Sequence, residues 1–274
     1  MFVLRQFLLL FVMSSSCALS SPTSYSQQLP PPIVYTIAGS DSGGGAGIQA
    51  DLHAMHSMNC HGCSAITCLT AQNSCGVTGV HSPPASFLSK QLDTLLEDLP
   101  PRAIKIGMLG SRELAETVGS FLSRLSGSYG DNGNSNDAGE KRREKTWVVL
   151  DPVMISTSGH KLIDDDAKQA MIDQIFPHAD VLTPNKYEAE ALLDRKLESP
   201  EAIEQGARDL LDMGVKSVLI KGGHTVADDL KGPIRPDVNA TLGYAQDYFL
   251  SSIPPEGEDR LCDGVRGIWL RSDR

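Results

Sequence analysis

The chain has 274 residues and a formal net charge of -10, with 34 acidic and 24 basic residues. Such an acidic surface repels phosphate backbones, so we expect no nucleic-acid partner. The length suits one large α/β domain with extensions, and 41% apolar residues are enough for a buried core.

The first thirty residues are typical of a targeting leader. Arg5 precedes an apolar run at residues 7–13, and small residues follow at 14–18, which is the order found in secretory signal peptides. The run is too short to span a bilayer, and residues 14–32 are rich in Ser, Pro and Gln, as in organelle transit segments. We therefore predict a leader over residues 1–30 and an organellar, preferably plastid, destination. The cytoplasm and the secretory pathway are the alternatives, and no stable membrane association is expected once the leader is removed.

From Ile33 onward, short β-branched runs alternate with longer stretches of helical spacing, which predicts βαβ units around a mostly parallel sheet. The predicted strands are 33–38, 64–70, 103–108, 147–151, 181–183 and 217–221. The predicted helices are 48–58, 84–99, 112–125, 165–175, 186–192 and 200–213. Two further strands, 244–250 and 267–270, are expected to form an antiparallel hairpin at the sheet edge.

One segment interrupts this alternation. Residues 127–145 carry Gly, Ser, Asn, Asp and mixed charge with almost nothing apolar, which predicts a disordered surface insert.

The six cysteines do not have the spacing of a disulfide framework, because four of them fall within residues 60–75. Cys60 and Cys63 form a C-x-x-C pattern, which could be redox-active or half a zinc site. The sequence has no second pair to complete four ligands, so reduced and mostly buried thiols are the favoured interpretation.

A glycine-rich segment at 39–47 lies between the first predicted strand and the first predicted helix. Five of its nine residues are glycine, and in a parallel sheet such a loop lies at the carboxyl end of a strand, where α/β proteins bind ligands. The spacing fits neither the P-loop nor the dinucleotide fingerprint. Asp51, four residues after Gly47, can reach back to a ligand amine, or it can simply favour the helix dipole.

Amide and apolar side chains follow two other predicted strands. Gln72 and Asn73 could read the edge of a heterocycle, although an ordinary turn explains them equally well. Gly107 permits close approach and Met108 offers an adaptable apolar wall, or both simply end a packed strand.

Charged side chains follow the remaining strands. Asp151 ends one strand, and Glu188 lies three residues after Asn185 at a helix start, so the two carboxylates could share a hydrated Mg²⁺. The alternative is that they are N-caps and solvated side chains. Lys221 is followed by two glycines, Gly222 and Gly223, which suits a phosphate tail.

Together these motifs resemble the hydroxymethylpyrimidine and phosphomethylpyrimidine kinase family of thiamine biosynthesis, a branch of the ribokinase-like superfamily. The matching segments occur in the family's order: Ala38-Gly39-Ser40-Asp41 with the glycine run, Ile48-Gln49-Ala50-Asp51, Ala71-Gln72-Asn73, Lys105-Ile106-Gly107-Met108-Leu109, Asp151-Pro152-Val153-Met154, Thr183-Pro184-Asn185 with Glu188, and Lys221-Gly222-Gly223-His224. The resemblance implies an α/β fold, a ribokinase-like three-layer αβα sandwich over residues 31–274. It leaves open a homodimer, because ribokinase-like proteins often pair through a sheet edge.

The resemblance also implies site residues and a reaction. The implied pyrimidine pocket is Gly39, Asp51, Thr70, Gln72, Met108 and Val153. The implied ATP site is Asp151, Asn185, Glu188, Lys221 and Gly223, with Mg²⁺ on Asp151 and Glu188. The implied reaction phosphorylates 4-amino-5-hydroxymethyl-2-methylpyrimidine and then its monophosphate, with the ATP γ-phosphoryl group.

One family motif has no match in this sequence. The family ends its core with a Gly-Thr-Gly-Cys loop that forms an anion hole, but Cys262 lies in Leu261-Cys262-Asp263-Gly264 and residues 232–274 contain no such loop. The catalytic residue is therefore not assigned, and we expect a fragment with impaired activity that lacks the final catalytic loop and helices. The alternatives are an inactive pyrimidine-binding relative and a pyridoxal kinase-like enzyme.

Overall fold

The computed structural model describes residues 30–127, 145–154, 163–222, 245–252 and 266–272. In this part of the chain nine strands form one sheet. The strands are β1 (Ile33–Asp41), β2 (His61–Asn73), β3 (Gly76–His81), β4 (Ala103–Ile106), β5 (Trp147–Leu150), β6 (Val181–Leu182), β7 (Ser217–Ile220), β8 (Ala245–Ser251) and β9 (Arg266–Ser272). Their order in the sheet is β3-β2-β1-β4-β5-β6-β7-β8-β9. The six adjacent strands β2, β1, β4, β5, β6 and β7 are parallel, whereas β3, β8 and β9 are antiparallel to their neighbours.

All eight predicted strands are present, including the β8–β9 hairpin, but β3 was not predicted. Strand β3 pairs with the end of β2, from Leu69 opposite His81 to Asn73 opposite Gly76. Gly76 and Gly79 remove two of the side chains from which strand alternation is read, so the sequence pattern predicts a turn there. The turn at Gln72 and Asn73 is therefore a strand that continues into a hairpin.

The six predicted helices are also present. They are α1 (Gly47–Ser57), α2 (Ala85–Asp98), α3 (Arg112–Gly127), α4 (Asp165–Gln174), α5 (Lys186–Leu193) and α6 (Pro200–Asp212). Side chains of Asp164 and Ser199 cap the first turns of α4 and α6, where they accept hydrogen bonds from backbone N–H groups.

Helices cover both faces of the sheet. Tyr35 and Ile37 on β1 belong to the main core cluster with α2, α3 and α4. Val34, which directly precedes Tyr35 on β1, packs in a second cluster with Met55 of α1. Because successive strand residues point to opposite faces, α1 lies on the other side of β1. This is the predicted three-layer α/β architecture.

The chain changes direction across the sheet at β1. It passes from β1 through α1 to β2 on one side, and β4 then pairs with the other side of β1. The loops that follow β1 and β4 therefore leave on opposite faces, toward α1 and α3. Such a reversal is called a switch point. In open α/β sheets, ligands bind in the crevice at the switch point, outside the carboxyl ends of the strands.

The predicted leader, except Pro30, and residues 128–144 of the predicted insert lie outside the described residues. Among the helices that are described, none combines the length and the apolar character needed to cross a bilayer.

Candidate active site

The glycine-rich loop after β1 is folded around the carboxylate of Asp41. Asp41 Oδ1 accepts a hydrogen bond from Gly43 N at 2.7 Å, and Oδ2 accepts from Gly45 N at 3.0 Å and Ala46 N at 2.8 Å. Gln49 reaches back from α1 to Asp41 N and Ser40 Oγ, at 2.9 and 2.7 Å. Since a carboxylate occupies these backbone donors, the loop forms a fixed wall of the site rather than an open cradle for phosphate.

The end of β2 is joined to this loop. Ser42 Oγ donates to Gln72 O at 2.7 Å, and Gln72 N donates to Ser42 Oγ at 2.8 Å. Thr70 Oγ1 lies 2.9 Å from Ser40 O and 3.2 Å from Gln72 Oε1. The half-buried amide of Gln72 is thus held beside the glycine loop.

Gly39, Cys68 and Met108 meet between the ends of β1, β2 and β4. A Cβ built on Gly39 would lie 2.7 Å from Cys68 Sγ and 3.9 Å from Met108 Sδ. Thr67 Oγ1 donates to Met108 O at 2.6 Å, which fixes the chain after β4. Glycine at position 39 therefore lets Cys68 Sγ pack against β1, with the adaptable thioether of Met108 beside it.

Asp51 lies beneath this wall in a buried ion pair. Its Oδ2 accepts from Lys105 Nζ at 2.8 Å and from Thr36 Oγ1 at 2.6 Å. The side chains of Lys105 and Asp51 are only 8% and 7% exposed. Both bonds end on one oxygen, so the structure gives Asp51 a role in joining α1 to β1 and β4, whether or not the other oxygen meets a ligand.

The acidic and basic side chains after β5, β6 and β7 form a second cluster. Lys221 Nζ donates to Asp151 Oδ1 at 2.7 Å, and Thr183 Oγ1 lies 3.4 Å from the same oxygen. The backbone aligns these strand ends, because Asp151 N donates to Ile106 O and Lys221 N donates to Pro184 O, both at 2.8 Å.

Asn185 and Glu188 form a capping box at the start of α5. Asn185 Oδ1 accepts from Glu188 N at 2.9 Å, and Glu188 Oε2 accepts from Asn185 N at 2.7 Å. Of the two carboxylates for which a capping role was the alternative, Glu188 takes part in a cap as its N3 residue, whereas Asp151 is paired with Lys221. Glu188 is nevertheless buried rather than solvated, with 4% exposure.

Burial, with a smaller contribution from the charge of Asp151, raises the pKa of Glu188 to about 7 against the opposing effect of Lys221. Burial alone would lower the pKa of Lys221, but the carboxylates of Asp151 and Glu188 outweigh it and raise that pKa. The three side chains are thus electrostatically coupled, with a lysine that stays protonated at neutral pH.

This donor set fits a partly hydrated magnesium ion. Within the part of the chain that the structure describes, no cluster of three or more His, Cys, Asp or Glu side chains could hold a metal alone. Mg²⁺ usually takes one or two protein carboxylates and completes its octahedron with water and phosphate oxygens. Asp151 and Glu188 satisfy that requirement.

The sequence matches a family model described as phosphomethylpyrimidine kinase over residues 41–128 and 137–237, which is more than half of the chain. This protein belongs to the phosphomethylpyrimidine kinase family. A hydroxymethylpyrimidine/phosphomethylpyrimidine kinase of Synechococcus elongatus is 42% identical over 199 residues, which cover 72% of this chain and 68% of that protein. The thiamine biosynthesis bifunctional protein ThiED of Geobacter sulfurreducens is 42% identical over 196 residues, 72% of this chain and 36% of that protein. The match thus spans about two thirds or less of these relatives' lengths.

Solved structures agree with the family assignment. A phosphomethylpyrimidine kinase from Clostridium difficile has a TM-score of 0.63 at 35% identity and covers 80% of both chains. The pyridoxal kinase of Staphylococcus aureus in complex with AMP-PCP has a TM-score of 0.62 at 29% identity, over 89% of this chain and 72% of that one. The fold is therefore the ribokinase-like fold of vitamin kinases.

The structure brings the residues predicted for the family site to one edge of the sheet, in two groups. Gly39, Thr70, Gln72 and Met108 surround the switch point, with Asp51 ion-paired below them. Asp151, Asn185, Glu188 and Lys221 form the second group, and Val153 follows Asp151, to whose carbonyl its N–H donates at 2.8 Å. Gly223 lies outside the described residues.

Sequence reasoning assigned no site role to three residues that organise the site, namely Thr36, Asp41 and Lys105. Asp41 had a readable signal, since an Asp just before a glycine run commonly accepts bonds from N–H groups two or more residues later. Lys105 lies in a matching family segment, but the pairing of Thr36 and Lys105 with Asp51 had no signal, because Asp51 is 15 and 54 residues away from them.

A shallow cleft of about 270 Å³ lies at the opposite edge, near the amino ends of β5 and β7, where Lys145 and Lys216 both pair with Asp180. It is remote from the residues described above. Cys60, Cys63 and Cys68 are buried free thiols and Cys75 is an exposed free thiol, as predicted for reduced cysteines.

Proposed function

We propose that this protein phosphorylates 4-amino-5-hydroxymethyl-2-methylpyrimidine, and then its monophosphate, with the γ-phosphoryl group of ATP. One observation carries the proposal. Gly39, Gln72 and Met108 lie at the switch point of the sheet, along the same edge as the charged cluster of Asp151, Glu188 and Lys221.

The pyrimidine would lie against the glycine loop. The Gln72 amide presents a donor and an acceptor side by side, which matches a ring nitrogen next to an exocyclic amine. The ring would lie against the loop that follows Gly39, whose missing Cβ leaves room for Cys68 Sγ, and Met108 and Val153 would close the apolar sides. The proposed pocket therefore consists of the six residues that the family resemblance implies. Among them, Thr70 orients Gln72, and Asp51 holds α1 in place.

The nucleotide would lie over β5, β6 and β7. AMP-PCP is bound by the Staphylococcus aureus pyridoxal kinase, which shares this fold. Lys221 would contact phosphate oxygens, and Asp151 and Glu188 would hold Mg²⁺, which supplies neutralisation of phosphate charge. Asn185 fixes Glu188 through the capping box.

The chemistry this site can support is positioning and charge neutralisation. The hydroxymethyl oxygen attacks the γ-phosphorus in line, the bond to the β-γ bridging oxygen breaks, ADP leaves, and the hydroxyl proton is released. Phosphoryl transfer requires little covalent chemistry from side chains. The described residues would therefore act mainly by aligning the hydroxyl group and by holding positive charge beside the phosphates.

Coupled ADP release with hydroxymethylpyrimidine as acceptor tests the proposal. We expect Mg²⁺-dependent turnover, and we expect Gln72→Ala to raise KM for the pyrimidine at least tenfold with little change in KM for ATP. Pyridoxal is the comparison substrate, because pyridoxal kinases share the fold at 29–30% identity. A higher kcat/KM for pyridoxal would assign the protein to that activity instead. Binding of the pyrimidine without turnover would assign it as an inactive relative.

We further propose that two copies associate through the β3 edge of the sheet. Strand β3 is the last strand on that side, and Leu69 and Val80 of the hairpin are 47% and 51% exposed. Exposed edge strands with apolar side chains favour pairing with another chain. Sedimentation of Val80→Lys tests this, since a charge there should convert a dimer into a monomer.

We also propose a plastid destination, on the basis of the leader predicted over residues 1–30. A carboxyl-terminal fluorescent fusion of the full chain should label plastids in plant cells, and diffuse cytoplasmic or secretory labelling would contradict that destination.

A further inference from the structure

Asp247 is a buried carboxylate on β8 to which the motifs assign no role. It is 5% exposed, and its Oδ1 accepts a hydrogen bond from Gly222 N at 2.8 Å. Burying a carboxylate costs free energy unless it is hydrogen-bonded or paired, so the burial of Asp247 calls for an explanation.

The antiparallel pairing of β7 and β8 puts Asp247 next to Lys221. Ile220 pairs with Tyr248, so the following residue of β7 faces the preceding residue of β8. Lys221 N donates to Pro184 O on the β6 side, and the next N–H, that of Gly222, donates to Asp247 on the β8 side. The backbone of Lys221 is thus held from both flanks.

The charge of Asp247 acts on the same lysine. Asp151 and Glu188 are the stronger influences that raise the pKa of Lys221 against burial, and Asp247 adds to them. Three carboxylates therefore surround one ammonium group, but only Asp247 also binds the peptide that follows it.

We propose that Asp247 is a positioning residue for nucleotide binding. By holding the Gly222 N–H it fixes the direction in which Lys221 leaves β7 toward Asp151, and so the place where a phosphate would meet the ammonium group. This role rests on the proposed kinase function.

Calorimetric binding of Mg²⁺·AMP-PCP and of hydroxymethylpyrimidine to the full chain tests the role without requiring turnover. Asp247→Ala should weaken AMP-PCP binding at least tenfold and leave the pyrimidine Kd within twofold. Asp247→Asn retains an acceptor for Gly222 N, so AMP-PCP affinity should stay within threefold of wild type.

Asp180→Asn is the matched control. Asp180 is also a buried carboxylate that accepts from a strand N–H, that of Val148 at 2.9 Å, but it lies at the opposite edge of the sheet. This variant should lower Tm and leave both Kd values within twofold.

Equal AMP-PCP affinity in wild type and Asp247→Ala, or equal weakening of both ligands, would overturn the role of Asp247 alone. A wild-type chain that binds no nucleotide would overturn the proposed function and this role with it. If Asp247→Ala does not fold, Asp247→Glu moves the carboxylate by one methylene and keeps the charge. It should weaken AMP-PCP binding severalfold, and wild-type affinity in that variant would overturn the role.

Discussion

Glu188 shows how one side chain can belong both to helix structure and to a ligand site. It completes the capping box of α5, yet its burial beside Asp151 raises its pKa to about 7. The sequence predicted both interpretations from the spacing of Asn185 and Glu188. What it could not give is the burial, because the groups around Glu188 include Asp151, Met154 and Lys221, which are distant in the sequence.

The raised pKa of Glu188 predicts a pH-dependent stability with a definite sign. Because the folded state binds the proton more tightly than the unfolded state, stability falls as pH rises from about 4.5 to about 7. Glu188→Gln removes this penalty, so its stability relative to wild type should rise by up to about 3 kcal/mol between pH 5 and pH 8. Urea unfolding at the two pH values measures it.

Glu190→Gln is the control on the same helix. Burial alone would raise the pKa of Glu190, but hydrogen bonds from Leu197 N and Lys196 outweigh that effect and lower the pKa. The Glu190 carboxylate therefore stabilises the fold at neutral pH and loses that effect in acid. Glu190→Gln should be less stable than wild type by a larger margin at pH 7 than at pH 4. The same pH trend in both variants would contradict the assigned pKa directions.

The Asp51–Lys105 pair predicts a large stability effect from a single residue. Lys105→Met leaves the Asp51 carboxylate buried without its cation, and breaking a buried pair in this way costs about 3–5 kcal/mol. Denaturant unfolding should detect that loss, and Lys105→Met/Asp51→Leu should recover most of it. Arg112→Ala breaks an exposed pair with Glu116 and should change little. A Lys105→Met variant as stable as wild type would show that the pair is not formed.

At the scale of elements, the β1 loop and α1 depend on one close backbone approach. Gly47 has a φ of +57°, and a Cβ there would lie 2.2 Å from Gly39 O. The sequence predicted the loop and its place between strand and helix from the glycine run. It did not predict that Asp41 fills the loop, although an Asp just before a glycine run is a readable signal for such an acceptor.

Glycine substitutions can distinguish the two costs of adding a Cβ in this loop, which are the strain of a left-handed backbone and a steric clash with neighbouring atoms. Gly47→Ala should lower Tm strongly and weaken pyrimidine binding at least tenfold, because the loop cannot close. Gly44 has a φ of +77° with open space around it, so Gly44→Ala should cost only the roughly 1–2 kcal/mol of left-handed backbone. Gly76→Ala meets neither obstacle and should resemble wild type. Equal effects of Gly47→Ala and Gly44→Ala, measured by calorimetry, would contradict the close approach.

At the scale of the whole molecule, the periodic pattern predicted the α/β sandwich because helices and parallel strands alternate with distinct spacings. The pattern missed the β2–β3 hairpin, whose glycines leave little alternation to read. It also gave no strand order, although the order decides the site. Since β1 pairs with both β2 and β4, residues from Gly39 to Lys221 converge on one edge that no local window of sequence can reveal.

The crystal structure of the full chain with Mg²⁺·AMP-PCP and hydroxymethylpyrimidine tests the central claim most directly. We expect the pyrimidine between Gly39, Gln72 and Met108, and the phosphates beside Lys221 with the metal on Asp151 and Glu188. Ligands bound at the opposite edge of the sheet, near Asp180, or scattered over separate surfaces would contradict the proposed function.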